Sequence, residues 1–167
     1  MLPVPRKLAR LGLSGVLWTL ILPPDQRPFS FSAALKAAVE KVAARHKPEQ
    51  LPVVRAVGFT TDMDEFMAAA DLMMGKPGGL TTSESLIKGL AWVVVNPIPG
   101  QEEKNAIYLL EQGASVWCGN LHTLAFKVRT VLEEPLTEPG RLHSMRKNAF
   151  RIARPDAGGL IAAFVTG

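Results

Sequence analysis

Cysteine and tyrosine occur once each in 167 residues, histidine three times, and no apolar run approaches the roughly 20 residues that a membrane-spanning helix needs. The single Cys118 cannot close an internal disulfide, which suits a reducing, cytoplasmic compartment. His46, His122 and His143 stand apart from one another and from any cysteine, serine or acid at a recognisable spacing. That pattern excludes a zinc cluster, an HExxH protease and a nucleophile triad. Charged residues make up 20% and hydrophobic ones 47%, which rules out disorder as the dominant state, and the length suits a single core.

The net charge of +4 is unevenly spread. Residues 1–55 hold nine basic and three acidic side chains, residues 56–126 three and eight, and residues 127–167 seven and four. The glycine-rich middle is therefore acidic and unsuited to a nucleic-acid groove, which needs clustered Lys and Arg against phosphates. At the amino end, Arg6, Lys7 and Arg10 precede a twelve-residue apolar run, LGLSGVLWTLIL at 11–22, stopped by Pro23 and Pro24. The order is that of a secretory leader, but no small-x-small cleavage site follows. The run reads as a strand or an arm over the core, with a monotopic membrane contact as the sharper alternative.

Apolar residues recur at helical spacing over 32–43, and Pro48 marks the end of that helix. Strands and helices then alternate. Strands are predicted at 52–57, 72–74, 91–95 (AWVVV) and 114–117. Helices are predicted at 63–70 behind an Asp62 cap, 81–88 closed by Gly89, 101–112 closed by Gly113, 120–133, 138–153 and 156–164. Such alternation implies βαβ units around a parallel sheet with helices on both faces. The strand-to-helix loops at 58–62, 75–79, 96–100 and 118–120 then share one rim, where ligands bind in open α/β sheets.

Two of those loops carry chemistry. Gly78 and Gly79, ahead of a helix, allow backbone N–H groups to approach an anion, the helix end adds partial positive charge, and Lys76 adds a full one. The GxxxxGK[ST] and GxGxxG spacings are absent. Thr81 and Glu84 form either a capping box or, for Glu84, a carboxylate facing the rim and able to accept from ribose hydroxyls. Gln101 and Glu102 repeat the arrangement one strand later, as sugar-hydroxyl ligands or as a polar first turn. Asp62-Met63-Asp64 has the form of a D-x-D metal motif, but Asp62 suits a helix cap and Asp64 a first turn, so no metal is predicted. Met63, Phe66, Met67, Met73 and Met74 read as core packing.

The succession KPGGLTTSE and then NPIPGQEEKNA, preceded by GFTTDMDEFMAAADL, resembles the carboxyl-terminal domain of glycosyltransferase family 28. Within it the chain is most similar to diacylglycerol glucosyltransferases and monogalactosyldiacylglycerol synthases, and more distantly to the lipid-linked N-acetylglucosaminyltransferase of peptidoglycan synthesis. The resemblance covers about residues 51–163 and implies a Rossmann-like α/β domain, the carboxyl-terminal half of a GT-B enzyme. It implies metal-independent transfer of a hexose from a UDP-sugar to a lipid such as diacylglycerol, without a cofactor, in the cytoplasm or at the inner membrane face. Carried over by position, Phe59 lies against the uracil and Gly78, Gly79, Leu80 and Thr81 cradle the pyrophosphate. Lys76 steadies the departing UDP, Glu84 holds the ribose, and Gln101 and Glu102 bind the hexose. The resemblance also implies that the catalytic base belongs to an acceptor domain that this chain does not contain. Residues 11–31 lack the glycine cluster that follows the family's first strand. The division expected is an atypical basic and apolar arm at 1–31 and a donor-binding domain at 32–167. The alternative function is a non-catalytic nucleotide-sugar-binding module or gene fragment acting as a subunit beside a separate acceptor-domain protein.

Overall fold

The computed structural model describes residues 17–21, 53–57, 60–132 and 140–166. The chain divides into two compact units, Met1–Met63 and Asp64–Gly167. In the first, β1 (Leu17–Ile21) runs parallel to β2 (Val53–Val57), with Leu17 opposite Val53 and Ile21 opposite Val57. β1 occupies the second half of the apolar run at 11–22. The helix expected at 32–43, and Gly58 and Phe59, lie outside the described residues.

α1 (Met63–Ala69) leads into the second unit, whose sheet has the order β3 (Leu72–Gly75), β4 (Ala91–Val95), β5 (Ser115–Cys118), all parallel. α2 (Gly79–Ile87) and α3 (Gln101–Glu111) connect the strands. After β5 come a 3-10 turn (Leu121–Thr123), α4 (Leu124–Leu132), α5 (Arg141–Ile152) and α6 (Ala157–Thr166). Four of the five residues of AWVVV are buried, as expected of a central parallel strand with no polar face to give to water. Trp92 and Val94 point to one side, into a cluster with Leu86 of α2, Ala106 and Leu109 of α3, and Ala149 and Ile152 of α5. Alternation turns Val93 to the other side, beside Val116 of β5; Val128 and Val131 of α4, which packs on β5, are buried as well.

The predicted helix stops hold in detail. Gly89 and Gly113 adopt φ of 66° and 68°, which only glycine enters without steric cost. Gly89 N–H donates to Leu86 O and Leu90 N–H to Ser85 O; Gly113 and Ala114 repeat the pair on Leu110 and Leu109. These are Schellman closures, each satisfying two carbonyls that the helix end would otherwise strand.

Other boundaries differ from the sequence expectation for local reasons. The helix expected from 120 opens as a 3-10 turn because Asn120 captures the chain. Its Oδ1 accepts from His122 N–H at 2.9 Å, and its carbonyl accepts from Thr123 N–H at 2.9 Å and Thr123 Oγ1 at 2.7 Å. The helix expected from 138 is described from Arg141, behind Gly140 in extended backbone with ψ of 161°. β5 begins one residue later than expected, because Ala114 is spent on the Gly113 closure. Asp64 of the D-x-D pair is ion-paired with Lys88 at 2.6 Å. Asp62 Oδ1 accepts from the Thr61 hydroxyl, and Asp62 N–H donates to Thr60 Oγ1.

Candidate functional site

Because β3, β4 and β5 are parallel, the turns that leave them open on one sheet edge. The two that carry the sequence motifs, 76–78 and 96–100, are neighbours there. The first is rigid. Pro77 is fully buried, Gly78 N–H donates to Lys76 O at 2.9 Å across it in a γ-turn, and Lys76 is left exposed. α2 then begins at Gly79, two residues earlier than expected, with Gly78 as its cap and Thr82 N–H donating to Gly78 O at 2.8 Å.

This start corrects the capping-box reading. Thr81 is the third helical residue rather than the cap, Glu84 lies in the second turn rather than the first, and the glycine cap has no side chain to accept from the helix end. Gly78 takes the cap position in ordinary extended backbone, with ψ of 155°, and the chain passes from the buried Pro77 directly into the helix. The first-turn N–H groups of Gly79, Leu80 and Thr81 therefore have no side-chain cap, which is the setting in which a helix end takes an anion. Leu80, 81% exposed, stands beside them as an apolar side chain held in water. Glu84 is exposed.

The second turn is bent by two left-handed residues, Asn96 at φ 43° and Gly100 at φ 108°. Glu102 reaches back across it, Oε2 accepting from Ile98 N–H at 2.8 Å, while Glu103 N–H donates to Ile98 O at 3.2 Å. One carboxylate oxygen of Glu102 is thus committed to shaping the loop. Gln101 extends toward the first turn, and a Cβ on Gly79 would lie 3.0 Å from its Nε2. Gly79 thus leaves room for the Gln101 amide beside the start of α2.

Asn105, one helical turn after Gln101 on α3, has no role in the sequence reading. Its Nδ2 donates to Pro77 O at 2.8 Å and fastens the first turn to the second helix. The four-residue spacing from Gln101 was the signal that could have found it, since that spacing puts both amides on one helix face. Asn105→Ala is expected to lower stability by about 1 kcal/mol, the usual worth of one such bond. Amide exchange at Gly78 and Gly79 is expected to quicken more than at Val93 and Val94; uniform exchange across the four would remove the clamp.

The structure therefore brings together Gly78, Gly79, Leu80, Thr81, Gln101 and Glu102 at adjoining helix starts, with Lys76 at the turn and Glu84 one turn along α2. Phe59 lies outside the described residues. Among the described residues no helix is long and apolar enough to cross a membrane.

Comparison with known proteins agrees with this architecture. The processive diacylglycerol beta-glucosyltransferase of Bacillus pumilus is 31% identical over 117 residues, covering 70% of this chain and 28% of that protein. The chain thus spans under a third of the length of that relative. The crystal structure of Acinetobacter baumannii MurG matches with a TM-score of 0.62 at 21% identity, over 96% of this chain and 52% of that one. Anabaena HepE, solved in complex with UDP-glucose, matches with a TM-score of 0.52 at 17% identity, over 96% and 51%. The fold is the expected Rossmann-like α/β arrangement of a GT-B carboxyl-terminal half. Residues 33–158 match the glycosyltransferase family 28 C-terminal domain, three quarters of the sequence, and the chain belongs to that family.

Proposed function

We propose that this chain is the donor-binding half of a UDP-sugar-dependent hexosyltransferase that serves a lipid acceptor in the cytoplasm or at its membrane face. The observation that carries the reading is the meeting of two glycine-started helices at one sheet edge, with the Gln101 amide seated against Gly79. A diphosphate needs several N–H donors and partial positive charge in a small space, which the start of α2 offers; a hexose needs mixed donors and acceptors beside it, which Gln101 and Glu102 offer. The family match, the UDP-glucose complex of Anabaena HepE and the lipid-glycosylating activity named for the Bacillus relative support it.

In this reading the N–H groups of Gly79, Leu80 and Thr81 face the diphosphate, with Gly78 allowing its approach. Lys76 meets the charge that develops on it, and Glu84 accepts from the ribose hydroxyls. The acceptor hydroxyl oxygen bonds to the anomeric carbon, and the bond from that carbon to the diphosphate oxygen breaks. UDP leaves with the electron pair, and the hydroxyl proton passes to a base on the acceptor half. Fixed N–H dipoles aimed at the leaving oxygen stabilise that charge without reorganising during the reaction, so no metal is called on.

Calorimetric titration of the chain with UDP, its 2′-deoxy analogue and UDP-glucose tests the reading. UDP is expected to bind more tightly than the deoxy analogue. Glu84→Ala is expected to lose about tenfold for UDP, the worth of one charge-assisted hydrogen bond, and to treat the two nucleotides alike. A chelator is expected to change nothing. A folded chain that binds neither nucleotide overturns the donor-site reading; an unchanged Glu84→Ala removes only the ribose assignment.

A further inference from the structure

The two halves of the candidate site stand on different elements. The turn 76–78 and the start of α2 offer N–H groups to a diphosphate, whereas Gln101 and Glu102 belong to α3, which follows a separate strand. Each half is tied to itself. Gly78 N–H donates to Lys76 O and Thr82 N–H to Gly78 O, which fastens the first turn to its own helix. Glu102 Oε2 accepts from Ile98 N–H and so fixes the second turn to α3. Neither set of bonds holds the two halves at a fixed distance from each other.

Asn105 supplies that hold. Its Nδ2 donates to Pro77 O at 2.8 Å, from a half-buried position on the α3 face that also carries Gln101. Pro77 is fully buried and, being proline, has no N–H, so the turn meets α3 through a carbonyl and a hydrogen bond there needs a donor on α3. The turn is open elsewhere: nothing lies within 4 Å of where Gly78 would carry a side chain. Four residues before Asn105, the exposed Gln101 brings its amide against Gly79. Asn105 and Gln101 are thus two points on one seam between α2 and α3, the first holding it and the second standing at the rim.

We infer that Asn105 is a positioning residue that sets the spacing between the diphosphate and hexose halves of the site, so that an intact nucleotide-sugar is held by both. Resting on the donor-site reading above, this adds to it a residue that is not itself a ligand. UDP needs only the turn and α2, which stay together when the Asn105 bond is lost. UDP-glucose has to bridge α2 and α3, and a bridge is sensitive to the spacing of its piers. The consequence is a difference between donor and product, since the UDP left after transfer makes none of the α3 contacts.

Asn105→Asp keeps the shape of the side chain and removes the donor; Asn105→Ala does so without placing a carboxylate against Pro77 O. Both delete one half-buried bond and no core volume, so both are expected to fold, which circular dichroism checks. Calorimetric titration of the full chain is expected to show UDP-glucose weakened about tenfold in either variant, and UDP by less than about twofold. In the wild-type background Gln101→Ala is expected to weaken UDP-glucose about tenfold; in either Asn105 background it is expected to cost less than about twofold more, because the amide has already lost its register with the hexose. A merely structural role for Asn105 weakens both ligands alike and leaves the Gln101→Ala loss whole. Either of those results overturns the inference while the donor site stands. A folded wild-type chain that binds neither UDP nor UDP-glucose removes the donor-site reading and the inference with it.

Discussion

Asp71→Ala is expected to destabilise the fold by about 3 kcal/mol, and Asp71→Asn by less than about 1 kcal/mol. Arg146 of α5 is buried at 8% exposure; its Nε donates to Gly89 O at 3.0 Å, and its Nη1 donates to Asp71 Oδ1 in an ion pair. One guanidinium thereby ties the residue before β3 to the glycine that closes α2, the two outer ends of the segment whose inner turn carries the candidate site. Alanine at 71 leaves that guanidinium buried without its acceptor, whereas asparagine keeps an oxygen in place. Burial pushes the Asp71 carboxyl above its ordinary value of 3.8, and the nearby Arg146 charge lowers it without overcoming that shift. The native state then holds the proton more readily than the unfolded chain does. The group's contribution to stability is full below 3.8 and is lost as pH rises through the raised folded value. Asp71→Asn escapes that loss, so its stability relative to wild type should improve across the same interval and stay level above it. Urea unfolding at several pH values with constant slope measures this. A steady loss for Asp71→Asn at neutral pH would show that the charge, rather than the acceptor, holds Arg146.

The alternation of apolar strands with helices was legible because AWVVV and its neighbours have the composition of buried parallel strands, and because Gly89 and Gly113 end helices in the one conformation that glycine favours. The two loops were legible as a pair, since parallel strands must deliver them to one edge. Long-range side-chain contacts were not. The spacing from Gln101 gives the helix face of Asn105 but not its partner Pro77, 28 residues away, and nothing local says that Arg146 reaches Asp71, 75 residues away. Helix starts were hidden for a different reason. Thr81 and Glu84 fit a capping box by type and spacing, yet Gly78 takes the cap, because a buried Pro77 followed by two glycines sets the turn before threonine is reached.

Trp92→Ala is expected to cost about 4 kcal/mol, the largest single loss in the unit. The indole is fully buried at the centre of the cluster under α2, α3 and α5, so truncation opens a cavity that three helices would have to move to fill. It also removes a hydrogen bond, because Trp92 Nε1 donates to Ser85 Oγ at 2.8 Å and Ser85 Oγ donates to Thr82 O at 2.8 Å, a buried chain from the central strand into α2. Trp92→Phe separates the two contributions: most of the ring volume stays, the donor is lost, and about 2 kcal/mol is expected. The neighbouring hydroxyl provides the contrast. Thr82 Oγ1 is buried without a protein partner, so Thr82→Val removes an unsatisfied group at nearly constant shape and is expected to leave stability unchanged or raise it by about 1 kcal/mol. Thermal or urea unfolding of the three variants ranks them. If Thr82→Val fell as far as Trp92→Phe, the hydroxyl would have to be bonded, and the Ser85 chain could not be the sole polar link holding α2 to the strand that positions it.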